Sequence, residues 1–340
     1  MTNAAAKKSE SSANPLDALS TLLHEDMKCV NAEILARMDS PVALIPQLAS
    51  YLIAAGGKRI RPLLTLAATK IYSDDPAHMN RAYRLAAAVE FIHTATLLHD
   101  DVVDESGERR GQDAANLIYG NQASVLVGDF LFARAFQLMV ADGNLDVLRI
   151  LSDAAAIIAQ GEVMQLSTTG NLETTLEDYE EVIKAKTAAL FTAACEVGPV
   201  ITGEEAAQGE ALANYGLYLG MAFQIIDDVL DYNAAHEKLG KTIGDDFREG
   251  KMTAPVIYAL EKADAQERDF WTRTLEKKDQ KDGDLQHAMA LIEKHGAMTQ
   301  SVALAREYGD KARAALQSIP AGDIRDLLAQ TITFTIEREF

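Results

Sequence analysis

The sequence predicts an all-α protein built as a single large helical bundle, and three observations carry that prediction. Only 8 of the 340 residues are proline, and none falls between Pro76 and Pro199 or between Pro255 and Pro320. Those proline-free stretches are rich in Ala, Leu, Glu and Lys, residues that lose little rotamer freedom on entering a helix. Regular alternation of apolar and polar residues, the mark of half-buried strands, is hard to find. Hydrophobic residues make up 48% of the chain, enough for a large packed core.

The elements follow in chain order. Residues 1–14 are small and polar and are expected to form a disordered tail, with 15–340 as one helical domain. Helical patterning starts at Pro15 and continues to about Ala55. The segment Gly56-Gly57-Lys58-Arg59-Ile60-Arg61-Pro62 then interrupts it as a turn, with Pro62 suited to open the next helix. Helices are predicted over 62–72, 79–105, 115–141, 146–168, 176–200, 204–233 and 251–262. A charged, turn-rich segment is expected at 263–284, followed by helices over 285–317 and 321–338.

The net charge of −19 speaks against nucleic acid as a partner and against electrostatic docking on anionic lipid. Two cysteines, Cys29 and Cys195, offer neither a disulfide framework nor zinc spacing, so a reducing, cytoplasmic setting is expected. The first residues lack the apolar stretch of a signal peptide, and no uninterrupted run of 18 apolar residues suggests a membrane span.

Two copies of one acidic motif dominate the chain. Asp100-Asp101-Val102-Val103-Asp104 and Asp227-Asp228-Val229-Leu230-Asp231 both read D-D-x-x-D, and each closes a mostly apolar run. In a helix, residues i and i+4 share a face, so Asp100 stacks over Asp104 and Asp227 over Asp231. Carboxylates packed so closely repel one another. One such motif among 51 acidic residues is ordinarily a solvated helix face; two, each ending an apolar run, point to divalent cations between them. Magnesium fits all-oxygen ligands and usually brings a phosphate-bearing substrate. Basic residues gather near the motifs: Lys58, Arg59 and Arg61 in the glycine turn, Arg109 and Arg110 after the first motif, Lys184 and Lys186 mid-chain, Lys241, Arg248 and Lys251 after the second. Singly, each would be a surface ion pair worth little. As a set flanking both motifs, they imply two phosphate sites, one bridged to metal and one held by Arg and Lys.

These residues resemble the trans-type (class I) polyprenyl diphosphate synthases. The likeness covers roughly residues 50–260 and rests on GGKRIRP, FIHTATLLHDDVVDES, ERRG, GNQASVLVGDFL, GEVMQL, Lys186-Thr187, FQIIDDVLDY and GKTIGDDFREGK, in that order. The resemblance implies the isoprenoid synthase fold with a central cavity, a homodimer, more than one magnesium ion, and joining of isopentenyl diphosphate to an allylic diphosphate. It implies that Asp100, Asp101, Asp104, Asp227, Asp228 and Asp231 hold magnesium on the allylic diphosphate, which Arg109, Lys186, Lys241 and Lys251 contact. By the same resemblance Gly57, Lys58, Arg61, His93 and Arg110 bind isopentenyl diphosphate, and Thr187 and Gln224 sit near the reacting carbons.

In this family the product grows down a tunnel beside the first acidic helix, so Ile92, Ala95 and Thr96 are expected to read its length. Ala95 lies roughly 7.5 Å below Asp100 along the axis and is small. Small residues at Ala154, Ala155, Ala156 and Ala159 point the same way, to a product of about eight to ten isoprene units for quinone side chains. Transient membrane contact is expected for its release. The chain ends Arg338-Glu339-Phe340 rather than in the basic tail of some short-chain relatives, so no covering role is expected of those residues. The rival readings are a synthase of shorter products, a class I terpene cyclase and a non-catalytic regulatory subunit. The cyclase would not need GGKRIRP, and the subunit would ordinarily lose acidic ligands. Glu90-Phe91-Ile92-His93 is an E-x-x-H, as in di-iron bundles, but such sites need two copies and no other His follows a Glu at that spacing.

Overall fold

The computed structural model describes residues 14–54, 57–109, 111–233 and 243–337. Residues 1–13 of the expected 1–14 tail, Arg110, Lys241 and the terminal residues 338–340 lie outside the described residues, whereas Asn14 is described and caps the first helix. Among those described, the architecture is helical apart from one two-residue hairpin, Glu108–Arg109 with Gln112–Asp113.

The predicted first helix is three: α1 (Pro15–Leu22), α2 (His24–Met38) and α3 (Leu44–Ala54). After the basic turn come α4 (Ile60–Lys70) and α5 (Pro76–Val103), which ends in the first acidic motif. Helix α5 begins three residues earlier than predicted because Pro76 sits in its first turn and the Asp75 carboxylate accepts the Ala77 N–H at 2.8 Å. Gly120, at φ +83°, divides the next stretch into α6 (Ala115–Tyr119) and α7 (Asn121–Asp142). Helix α8 (Leu145–Thr168) is capped by Asn144. Helix α9 (Leu176–Ile183) opens on a reciprocal Thr175–Asp178 cap and passes through a π turn, Lys184–Ala188, into α10 (Ala189–Thr202).

Helix α11 (Ala206–Asp231) ends in the second motif and is followed by α12 (Asp245–Glu249) and α13 (Ala254–Glu261). The segment expected to be turn-rich is helical in its first half, with α14 (Ala265–Trp271) and a π turn through Glu276. Asp264 and Glu267 cap that helix reciprocally, and it buries Trp271 completely; both outweigh its charged composition. Helix α15 (Asp284–Lys294) is separated from α16 (Ala297–Ala315) by Gly296 at φ +65°, and α17 (Asp323–Ile336) closes the described chain.

Two apolar clusters meet along α11. Leu212, Tyr215 and Leu219 belong to one, with α2, α4, α5, α7, α8 and α10; Met221, Ile225 and Ile226 belong to the other, with α13 to α16. Helix α7 is long and apolar enough to cross a membrane by length and composition, although polar residues interrupt it. It serves as a core helix, placing Val127, Leu131, Ala135 and Leu138 in the first cluster.

Close approach of α10 to α11 depends on Gly216. A Cβ there would sit 2.4 Å from the Phe191 carbonyl oxygen and 2.8 Å from its carbon, which are backbone atoms that cannot rotate away. A Cβ at Gly209 of the same helix meets nothing within 4 Å. Gly216→Ala should therefore cost about 2–3 kcal/mol, whereas Gly209→Ala should gain about 0.5–1 kcal/mol. Thermal unfolding of the two variants checks this, and shifts of the same sign would refute the packing argument.

Candidate active site

A cavity of about 540 Å³ opens between the C-terminal ends of α5 and α11. It collects Asp100, Asp104, Arg109, Lys186, Thr187, Gln224, Asp227 and Lys251, together with Gly57, Lys58, Arg61, His93 and Thr96. Residues up to 319 positions apart in the chain, Leu16 and Thr335, thus share one chamber (335 − 16).

Within each acidic motif the aspartates take different positions. Asp100 and Asp104, one turn apart, line the cavity from α5, and Asp227 lines it from α11. Asp101 and Asp228, rotated about 100° by the helical step, lie beneath it, 0% and 5% exposed. Asp101 accepts the Arg109 Nε–H at 2.7 Å, which fixes that guanidinium at the cavity edge. Asp228 accepts the Tyr179 hydroxyl at 2.6 Å and the Gln224 amide at 2.8 Å, and Gln224 accepts the Thr187 hydroxyl at 2.7 Å. A hydrogen-bonded chain therefore runs from the second motif to the two residues expected near the reacting carbons. Asp231 turns away and accepts the backbone N–H groups of Asp245 and Asp246 at 3.2 and 3.0 Å, anchoring the segment that carries Lys251.

Burial pushes the Asp100 carboxyl up to about 7, with Glu162 and Asp104 adding to the rise and Lys186 and Arg109 opposing it. Asp228 is likewise pushed up to about 7, mainly by burial. The half-buried Asp246 carboxyl, near Asp228 and Asp231, is raised well above the usual range, again mainly by burial. Burial works against the Lys251 ammonium, but Asp246, Asp104 and Glu249 outweigh it and hold the group protonated. Lys251 Nζ lies 3.2 Å from Asp104 Oδ2, so it bridges the two halves of the site.

The other end of the chamber is basic. Arg59 stands at φ +49°, in the left-handed region that a non-glycine residue rarely adopts, and pairs with Glu90 at 2.9 Å. Arg61 Nη1 lies 3.2 Å from His93 Nε2 and its guanidinium stacks 4.5 Å from the Phe191 ring centre. The E-x-x-H of α5 is thus an anchor for two arginines. Lys58 Nζ lies 5.2 Å from the Phe334 ring centre, and Phe334 and Thr335 of α17 line the cavity with Leu16 of α1. The last helix reaches the site even though no covering role was expected of the terminal residues.

Of the expected length-reading residues, Thr96 lines the cavity, while Ile92 and Ala95 are fully buried and do not. Ala154 and Ala155 are buried, but Ala156 and Ala159 are exposed, so the latter two cannot wall an internal tunnel within one chain. Sequence reasoning missed Glu162 and Gln165, which hold Lys186, and Tyr179, which holds Asp228. The first two stand in GEVMQL, three apart and so on one helical face, a spacing that could have marked them; nothing in the sequence marks Tyr179.

Among the described residues, no three His, Cys, Asp or Glu side chains converge on one point. Two carboxylates on one wall and one on the other, with Lys186 and Lys251 beside the first two, fit magnesium, which takes one or two carboxylates and completes its shell with substrate phosphate and water. Burial, the main cause of the raised Asp100 carboxyl, disfavours its charged form, and a cation held against it would offset that cost.

Comparison with known proteins places the chain in a family. Residues 42–292 match the family model described as polyprenyl synthetase. The chain is 43% identical over 325 residues to the octaprenyl diphosphate synthase of Escherichia coli, covering 95% of this chain and 99% of that protein. It is 53% identical to the crystal structure of a decaprenyl diphosphate synthase from Rhodobacter capsulatus, with a TM-score of 0.91 and coverage of 95% and 99%. A polyprenyl synthase from Caulobacter crescentus, crystallised with calcium and isoprenyl diphosphate, is 50% identical with a TM-score of 0.91, covering 98% and 99%.

Proposed function

The chain belongs to the polyprenyl synthetase family, and from that premise we propose that it is a prenyltransferase that makes an all-trans polyprenyl diphosphate of about 40–50 carbons. It extends an allylic diphosphate with isopentenyl diphosphate, in the cytoplasm, with magnesium. The single observation that carries this reading is one chamber holding two opposed acidic motifs at one end and an Arg–Lys–His cluster at the other. A two-site chamber suits two diphosphates whose carbon ends meet between them.

Asp100, Asp104 and Asp227 would hold magnesium, more than one ion, against the allylic diphosphate. When bound, magnesium supplies Lewis-acid neutralisation of the leaving group. Lys186, Lys251 and Arg109 grip the departing diphosphate as the carbon–oxygen bond breaks. Lys58, Arg61 and His93 hold isopentenyl diphosphate so that its double bond attacks the allylic carbon. The new carbon–carbon bond forms, and a proton passes to the departing diphosphate. The Gln224 and Thr187 dipoles lie where positive charge develops, and the apolar walls Leu97, Phe191 and Phe223 exclude the water that would quench it.

The homodimer is supported by an exposed apolar face on α6, α7 and α8, where Leu117, Leu126, Val140 and Leu145 are 61–80% exposed. A second copy would cover it. Membrane contact is transient and confined to product release.

Incubation with farnesyl diphosphate, labelled isopentenyl diphosphate and magnesium should give one dephosphorylated product of 40 to 50 carbons on chromatography. A 20-carbon product would keep the chemistry and overturn the length; no condensation by folded protein would overturn the function.

Metal and proton compete for the same carboxylates. Asp100 rises from its ordinary 3.8 to about 7, so below pH 7 it is largely protonated. The magnesium concentration giving half-maximal rate should rise about tenfold from pH 8 to pH 6. The linkage has the opposite sign for the metal-free fold. There the raised carboxyls of Asp100 and Asp228 contribute stability that is fully present below about pH 4 and lost as the pH rises to 7. A magnesium requirement that does not move with pH would contradict the assignment.

A further inference from the structure

Resting on that reading, we propose that Glu162, with Gln165, is a positioning residue that aims the Lys186 ammonium at the leaving diphosphate beside Asp100. Both stand on α8, three residues apart and so on one face. Lys186 Nζ donates to Glu162 Oε2 at 2.7 Å and to Gln165 Oε1 at 2.8 Å, and lies 3.8 Å from Asp100 Oδ2. An ammonium has three donors. Two are committed to α8, which leaves one for a phosphate oxygen. A lysine on its flexible stem would otherwise spread over many rotamers, and holding it in advance lowers the ordering cost at the moment of reaction.

The backbone is arranged for this hold. Lys186 sits in the π turn Lys184–Ala188, an irregularity that turns its side chain out of the regular helical register. Gly161, beside Glu162, lets α8 press against that turn. A Cβ there would stand 2.8 Å from the Lys186 backbone nitrogen and 2.9 Å from the Ala185 Cβ. Glu162 Oε1 is buried with no hydrogen-bond partner among the described residues. Lys186 thus holds this carboxylate through Oε2, and Glu162 itself lines the chamber. A structural carboxylate would ordinarily have both oxygens satisfied.

The test is a double-mutant cycle on the full chain with farnesyl diphosphate, isopentenyl diphosphate and magnesium. Glu162→Gln should lower kcat about tenfold or more while leaving KM for isopentenyl diphosphate within twofold. Added to Lys186→Ala, it should change kcat less than twofold, because Glu162 acts only through the lysine. Glu162→Asp should recover part of the rate. Multiplicative effects in the double variant would overturn the inference, since a purely packing role or direct metal ligation does not depend on Lys186. So would a normal kcat in Glu162→Gln. Should Glu162→Gln fail to fold, Gln165→Ala serves in its place: its smaller loss of kcat must also vanish in the Lys186→Ala background, and persistence there would overturn the inference. Absence of condensation by the unaltered protein would instead bring down the function on which the inference rests, whereas condensation with an unaffected Glu162→Gln brings down the inference alone.

Discussion

Asp100→Ala and Asp227→Ala should each lower turnover at least about a hundredfold while leaving the protein folded. A hundredfold corresponds to about 2.7 kcal/mol of lost transition-state stabilisation, a modest demand for a carboxylate that holds a divalent cation against a leaving diphosphate. The fold should tolerate the change because Asp100 is an unfavourable tenant: burial raises its carboxyl to about 7. At pH 8 without metal, Asp100→Ala should unfold at the same temperature as the parent or above it, the usual relation between a strained site and stability. Asp101→Asn should behave differently, because Asp101 is fully buried and holds Arg109. It should lose stability as well as rate. Steady-state turnover beside thermal unfolding separates the cases, and near-normal turnover in either alanine variant would refute the metal role.

Ala95→Phe should shorten the product from 40–50 carbons to about 15–20 while preserving the first condensation. Ala95 lies on α5 below the acidic motif, fully buried with Ile92 and Leu98 at three-residue spacing, and so on one face of the helix. The chamber reaches Thr96 and Leu97, one step above it. A growing tail must displace or pass the side chains at this level, and a phenyl ring there fills the space it needs. Overpacking also costs about 1–3 kcal/mol, so the melting temperature should be followed with the product. A folded variant with an unchanged product would place the tunnel on another face of α5.

The helical class and the two acidic motifs were legible because both are local properties. Helix-forming composition, sparse proline and the i, i+4 spacing of Asp100 and Asp104 need no partner to be read. Boundaries were less legible where one backbone conformation or one cap decides them. Gly120 at φ +83° splits a continuous apolar pattern, and the Asp264–Glu267 cap turns a charged stretch into a helix. Within the site, the sequence treated all six aspartates alike. Only their surroundings tell them apart.

By itself, then, the sequence determined the fold class, the acidic ends of two helices and the set of basic residues that answer them, because periodicity and charge are written along the chain. Only the tertiary structure decided which aspartates face the chamber and which hold Arg109, Tyr179 and the 245–246 backbone. It also decided that Glu90 and His93 anchor arginines rather than a metal, and that Glu162 and Gln165 hold Lys186. The physical reason is that direction and burial depend on what packs on the other side. A carboxylate has the same formula everywhere in the chain, and its task is set by the neighbours that a distant helix brings to it.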